Sequence, residues 1–237
     1  MKVVAIIQAR YGSSRLSGKS MRPLAGKPML SHVLDRAKAV RGVDAVVLAT
    51  STQVENAQLT WLADDMQIAA YRCDNEQNVL RRFVQVAVVQ GADVIMRITG
   101  DCPLLAPDVC ADVLAAHLAA HDDMQLTTND VTCSGYPDGT DCEVFSRAAL
   151  FAADDATRQP LGRPTADREH VTSWMRRTLP HRVVTCQSGD WSYLKLSVDS
   201  LEDFERVQRI FGYLVPGEYS LASTIAAVRR AQEMKIT

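Results

Sequence analysis

The features this chain lacks narrow its class first. No stretch approaches the roughly 18 consecutive apolar residues of a membrane span. The apolar run after Met1-Lys2 covers only Val3 to Ile7, too short for the core of a secretory signal. A cytoplasmic protein with no membrane insertion is expected. The cysteines Cys73, Cys102, Cys110, Cys133, Cys142 and Cys186 include no C-x-x-C pair, and their scattered spacing suits neither a zinc site nor a disulfide framework. Reduced, mostly buried thiols are the expectation. No Pro/Gly/Ser-rich linker, low-complexity segment or internal repeat interrupts the 237 residues. With 47% hydrophobic and 23% charged residues, the chain can bury a full core. One domain over residues 1–237 is expected, in two halves at about 1–105 and about 106–237.

The net charge of −2 conceals an asymmetry: residues 1–41 carry nine Lys/Arg against the single acid Asp35, so the remainder is strongly acidic. The basic residues gather around one Gly/Ser-rich stretch and lack the aromatic interleaving of a groove that tracks a nucleic-acid strand. A small polyanion is the expected partner, not nucleic acid.

That stretch is Gln8-Ala9-Arg10-Tyr11-Gly12-Ser13-Ser14-Arg15-Leu16-Ser17-Gly18-Lys19, directly after the apolar Val3 to Ile7. The pattern predicts a buried strand running into a loop. Its glycines let backbone N–H groups approach anionic oxygens, and Arg10, Arg15 and Lys19 supply the charge to neutralise a triphosphate. A plain basic surface loop is the alternative.

Apolar residues at helical spacing from Pro28 to Val40 predict a helix, with Gly42 just beyond it. Strands are expected at Ala45 to Thr50, Ile68 to Tyr71 and Asp93 to Ile98, and helices at Glu55 to Asp65 and Gln77 to Gln90. This alternation predicts an α/β fold with parallel strands and helices on both faces. Its ligands gather beyond the carboxyl ends of the strands, where the loops Gln8 to Lys19 and Thr99 to Pro103 should face one crevice.

Further on, the pattern predicts a helix over Pro107 to Ala120, a strand over Gln125 to Asn129, and a turn at Tyr136-Pro137-Asp138-Gly139 leading into Cys142 to Phe145. A helix over Ala166 to Arg177 and strands at Arg182 to Cys186 and Leu194 to Val198 follow. Ser200-Leu201-Glu202-Asp203 has the form of a capping box that opens a helix to about Tyr213. A last helix is expected over Leu221 to Met234.

Asp101 and Asp199 each follow an apolar strand. Hard carboxylate oxygens in such places suit Mg²⁺, which takes one or two protein carboxylates and completes its shell with water and substrate phosphate. Simple capping is the competing explanation for either one alone. His117 and His121 have chelating spacing but no third ligand, so a helix-end role is favoured. Asp167-Arg168-Glu169-His170 suits either a solvated helix start or a substrate role. Arg81-Arg82 defaults to the surface of an amphipathic helix, and Trp61, Trp174 and Trp191 to packing.

Taken together, these blocks resemble the cytidylyltransferases that make CMP-activated acidic sugars, above all the spore-coat polysaccharide branch, related to the acylneuraminate and 3-deoxy-manno-octulosonate enzymes. The likeness rests on Ile6 to Lys19, Leu24-Ala25-Gly26-Lys27-Pro28-Met29, Val79 to Phe83, Arg97 to Leu104, Tyr136 to Gly139, Arg168 to Thr172 and Val198 to Phe204. The resemblance implies a nucleotide-diphospho-sugar transferase fold (GT-A/Rossmann-like), a mostly parallel mixed sheet flanked by helices, with a nucleotide-binding half at about 1–105, a sugar-binding and dimerisation half at about 106–237, and a homodimer. It implies that Ala9, Arg10, Gly12, Ser13, Arg15, Lys19, Arg82, Thr99 and Gly100 bind the nucleotide. Asp101 and Asp199 would ligate Mg²⁺ and join Arg10 and Lys19 in catalysis, while Asp141, Glu143, Arg168 and His170 would face the sugar. Ser17 stands where the family usually has Pro, Asn78 where this branch often has Asp, and Ser200-Leu201 where Thr-Pro is common.

The implied reaction transfers CMP from CTP to a hydroxyl of an acidic or amino sugar, of the nonulosonic or Kdo-like kind, and releases pyrophosphate in surface-polysaccharide biosynthesis. A GTP- or UTP-dependent nucleotidyltransferase is the nearest rival, although loops of that kind generally open with Gly-Gly and this one opens with Ala9-Arg10. A non-catalytic nucleotide-binding regulator is the rival from another class.

Overall fold

The computed structural model describes residues 1–13, 15–158 and 166–233. Strand β1 (Val3–Gln8) enters the basic loop, which ends in a single 3-10 turn at Lys19–Met21. A two-residue hairpin of β2 (Pro23–Leu24) and β3 (Lys27–Pro28) leads to helix α1 (Met29–Lys38). Then come β4 (Ala45–Ser51), α2 (Ala57–Asp65), β5 (Ala69–Cys73), α3 (Val79–Gln90) and β6 (Val94–Thr99). The alternation expected from the pattern is thus observed, with boundaries moved by a residue or two.

The second half opens with α4 (Pro107–Leu118), β7 (Leu126–Thr128), the one-turn α5 (Val131–Ser134) and β8 (Glu143–Ser146). It continues through α6 (Arg147–Ala156), α7 (Ala166–Glu169), α8 (Ser173–Thr178), β9 (His181–Val183), α9 (Leu201–Phe211) and α10 (Leu221–Glu233). The main sheet has the order β5-β4-β1-β6-β8-β7-β9. Strands β4, β1 and β6 run parallel, whereas β8 is antiparallel to both of its neighbours. The sheet is therefore mixed and mostly parallel. No helix among the described residues is long and apolar enough to cross a membrane.

The apolar run in β1 is continuous because both faces of this strand are covered. Val3, Ala5 and Ile7 pack with Leu30, Val33 and Leu34 of α1, Leu59 of α2 and Val113 of α4. Val4 and Ile6 point the other way, toward Leu80, Phe83 and Val86 of α3 and Leu150 of α6. A third cluster joins Phe204, Val207 and Ile210 of α9 to Ile225 and Val228 of α10, over Leu24, Met29 and Leu104.

Two expected elements take another form. The helix over Ala166 to Arg177 is broken into α7 and α8, because the Thr172 hydroxyl and the Arg176 guanidinium are both drawn to the buried Glu143 carboxylate. Leu194 to Val198 forms no strand, only an isolated bridge from Lys195 to Asp138 and a bend at Ser197. It is stitched to loops instead, with Leu196 N–H donating to the Asp138 carbonyl at 2.7 Å and Val198 N–H to the Asp101 carbonyl at 2.9 Å.

Candidate active site

The cleft is placed by register. Gln8 and Thr99 are paired at the carboxyl ends of β1 and β6, so the loops leaving those strands start side by side. The basic loop is then folded onto itself. Tyr11 N–H donates to Asn56 Oδ1 at 2.7 Å, and Gly18 N–H donates to the Tyr11 carbonyl at 3.1 Å. Gly18 has φ +66°, and a Cβ there would lie 2.9 Å from the Tyr11 hydroxyl, so glycine is favoured at the turn that delivers Lys19.

The tie between Val198 and Asp101 brings the third segment in, and Asp199 follows from it. Lys19 Nζ donates to Asp101 Oδ2 at 3.0 Å, to the Val198 carbonyl at 2.7 Å and to Asp199 Oδ1 at 3.4 Å. Arg15 donates to the same Asp199 oxygen at 2.8 Å. Burial pushes the Asp101 carboxyl up, but Lys19 outweighs it and the net pKa is below the ordinary aspartate value. Next to it, burial and then the Asp101 charge raise the Cys102 thiol well above its usual range, which leaves it inert.

Arg82 is 3% exposed, in contrast to the surface role expected from its helix pattern. One of its nitrogens donates to the Glu76 carbonyl at 2.9 Å, while its buried Nε has no partner. Burial lowers its pKa. Glu76 is held by the Ser51 hydroxyl at 2.7 Å and Asn56 Nδ2 at 3.1 Å, and it lies 3.6 Å from Arg10. Asn78 caps α3 by accepting from Arg81 N–H at 3.1 Å, and it also accepts from Arg168 Nε at 3.1 Å.

Ala9, Arg10, Ser13, Arg15, Lys19, Arg82, Thr99, Gly100, Asp101, His170 and Asp199 line one cleft. Gln8, Ser20, Glu76, Val79 and Glu169 join them and were not among the expected residues. Of these, Gln8 belongs to the loop's opening run and Glu169 to the Arg168 to Thr172 block; Glu76 carried no sequence signal. The other expected residues lie outside the lining. Gly12 faces open space. Arg168 is buried and spans from the α3 cap to Asp154 of α6 and Thr157 just after it. Glu143 is enclosed by Arg97, Thr172 and Arg176, and the two guanidinium charges, with the hydrogen bonds from Arg97 and Thr172, overcome burial to hold its pKa below the ordinary value. Asp141 accepts N–H groups from Gly139 and Val131 in the connection before β8, and burial pushes its pKa up to about 6.

The remaining expectations on single residues also have outcomes. All the cysteines are free, and most are buried. His117 is buried and pairs with the Thr127 hydroxyl at 3.1 Å, and burial lowers its pKa; no three metal-binding side chains converge among the described residues. Trp174 packs on the second core cluster and Trp191 lies beneath Arg229, but Trp61 is 66% exposed on α2.

A mixed sheet with a cationic loop, two strand-end aspartates and a buried arginine at its carboxyl edge defines an α/β domain of the nucleotide-diphospho-sugar transferase type. Comparison with known proteins agrees. The cytidylyltransferase family profile matches residues 4–235, and the chain belongs to that family of CTP-dependent nucleotidyltransferases. It is 29% identical over 216 residues to an 8-amino-3,8-dideoxy-manno-octulosonate cytidylyltransferase of Shewanella, covering 89% of this chain and 85% of the relative. It is likewise 29% identical over 217 residues to the spore coat polysaccharide biosynthesis protein SpsF of Bacillus subtilis, covering 88% and 86%. The structure of a cytidylyltransferase from Leptospira borgpetersenii superposes with a TM-score of 0.89 at 25% identity, over 99% of this chain and 96% of that one.

Proposed function

We propose that this chain transfers CMP from CTP to a hydroxyl of an acidic or amino sugar, with release of pyrophosphate, in the biosynthesis of a surface polysaccharide or glycoconjugate. The observation that carries the reading is the convergence of Lys19 with Asp101 and Asp199, at 3.0 and 3.4 Å, in a cleft that also presents Arg10, Arg15 and Arg82. The sugar class is supported by the relatives' names, one acting on an amino-octulosonate and one serving spore-coat polysaccharide.

Each part of the cleft has a task on this reading. Arg10, Ser13, Arg15 and Lys19 hold the triphosphate. Arg82 and the Thr99-Gly100 turn hold the nucleoside end. The acceptor hydroxyl attacks the α-phosphorus in line, and Lys19 and Arg10 stabilise the departing pyrophosphate, so preorganised charge supplies most of the rate.

Two hard carboxylates that reach one common cation fit a divalent ion whose remaining ligands are water and phosphate. Asp101 and Asp199 would hold Mg²⁺ there, and the bound ion would polarise the α-phosphate. Glu169 and His170, at and just after the end of α7, line the same cleft, and His170 would face the acceptor.

Thermal melts with each of the four nucleoside triphosphates and Mg²⁺ test the base preference. Only a ligand of the native state raises the transition, so CTP should give the largest shift. An equal or larger shift with GTP or UTP contradicts the proposal.

A further inference from the structure

We infer that Lys19 is a place-holder for the divalent cation: without nucleotide its ammonium bridges Asp101 and Asp199, and the cation site opens only when a polyphosphate draws Lys19 and Arg15 away. The inference rests on the proposed reading of these aspartates as the metal pair and concerns the order in which their partners arrive.

An ammonium has three protons to donate. Those of Lys19 meet Asp101 Oδ2, Asp199 Oδ1 and the Val198 carbonyl, so the group is saturated within the protein. Its side chain is only 12% exposed. Asp199 is more crowded still. Its Oδ1 is shared by Arg15 and Lys19, and its Oδ2 lies 3.3 Å from Lys195. Lys195 also pairs with Asp203, which is joined by Arg206. Four cations thus face three carboxylates in one connected cluster, and a free dication meets acids whose charge is already compensated. With no third acid, His or Cys converging among the described residues, the protein alone offers too few ligands to reverse that balance.

A triphosphate changes both terms at once. Its oxygens compete for Lys19 and Arg15 through charge-assisted hydrogen bonds. As these cations swing to the phosphates, both carboxylates are released at the moment phosphate oxygens become available as further ligands. Metal and nucleotide therefore bind with positive, reciprocal coupling. Lys195, which does not line the cleft, stays behind as the counter-charge of Asp199.

The test uses Mn²⁺ alone, titrated into the nucleotide-free full chain, with the unbound ion followed by electron paramagnetic resonance and folding checked by circular dichroism. Lys19→Met should bind Mn²⁺ at least about 10-fold more tightly than the parent protein, since a unit positive charge has left the site at close range. Adding Asp101→Asn to Lys19→Met should abolish that gain. Lys195→Met should give a smaller gain in the same direction, and it serves if Lys19→Met does not fold. Folded variants that bind Mn²⁺ no better than the parent overturn the place-holder inference. If Asp101→Asn and Asp199→Asn also leave Mn²⁺ binding to the nucleotide-loaded protein unchanged, the proposed metal pair falls as well; if they abolish it, only the place-holder falls.

Discussion

The carboxylate of Asp203 accepts the backbone N–H of Asp199 at 3.0 Å, so the residue that opens α9 also fixes the loop presenting the second strand-end aspartate. The same carboxylate accepts from Ser200 N–H, Lys195 and Arg206, and it closes the capping box with Ser200. Burial pushes its pKa up, but these donors prevail and hold it far below the usual carboxylate range. Asp203→Ala should cost about 1–3 kcal/mol of unfolding free energy in urea, from the lost cap and the unpaired cations. Because the folded-state pKa is depressed, the carboxylate's contribution is fully present above about pH 4 and fades as the pH falls below it. The variant should therefore show a flatter stability profile in acid than the parent protein.

Asp141 has the opposite sign. Its carboxyl is raised to about 6, chiefly by burial and then by its acidic neighbours Asp138 and Asp130, against the N–H bonds from Gly139 and Val131. A raised folded-state pKa means that the charged form opposes folding, so the penalty is present above about pH 6 and disappears as the pH falls toward 4. Asp141→Asn removes the charge but keeps an oxygen for only one of the two donors, because Gly139 N–H binds Oδ2 and Val131 N–H binds Oδ1. The lost hydrogen bond costs the same at either pH, so relative to the parent protein the variant should be about 1–2 kcal/mol better off at pH 7.5 than at pH 4. Denaturant melts at the two pH values check both halves.

Gly139 has φ +95°, and a Cβ added there would lie 2.4 Å from Ser197 N and 2.6 Å from the Leu196 carbonyl carbon. Backbone meets backbone, so no side-chain rotation relieves the contact. Gly139→Ala should cost more than about 2 kcal/mol in urea unfolding. The clash falls on the segment that carries Asp199, so activity should fall even at temperatures where the variant remains folded.

The buried, unpartnered Nε of Arg82 predisposes this side chain to a ligand. Arg82→Met should raise the KM for CTP at least about 10-fold, the scale of one lost charge-assisted hydrogen bond. Its effect on kcat should be smaller, since Arg82 is bonded to Glu76 and shares no partner with the Lys19–Asp101 pair.

Much of this arrangement is legible in local pattern. β1, β4 and β6 carry apolar runs ended by polar loops, and Ser200 with Asp203 spells out its capping box in the sequence. Helix α6 was missed although Ser146 caps it ahead of an alanine-rich segment, the kind of signal that marks a helix start. Other features depend on contacts that no local pattern contains. The break between α7 and α8 follows from the reach of Thr172 and Arg176 to Glu143, and Leu194 to Val198 needs Asp138 and Asp101 to define it. Arg82 and Arg81 are adjacent, yet only packing decides which one is enclosed: Arg82 is buried and Arg81 exposed. The partners of Asp199 are equally non-local, because Lys195 is four residues away but Lys19 and Arg15 come from the other end of the chain.

On the proposed function, the cleft at Lys19, Asp101 and Asp199 performs cytidylyl transfer. Pyrophosphate release measured with each of the four nucleoside triphosphates, Mg²⁺ and a panel of Kdo-like and nonulosonic acids tests it most directly. The expected result is release with CTP and an acidic sugar, reduced at least about 100-fold in kcat by Asp101→Ala or Lys19→Ala. Near-parent turnover in either variant, or a preference for another nucleotide, would contradict it.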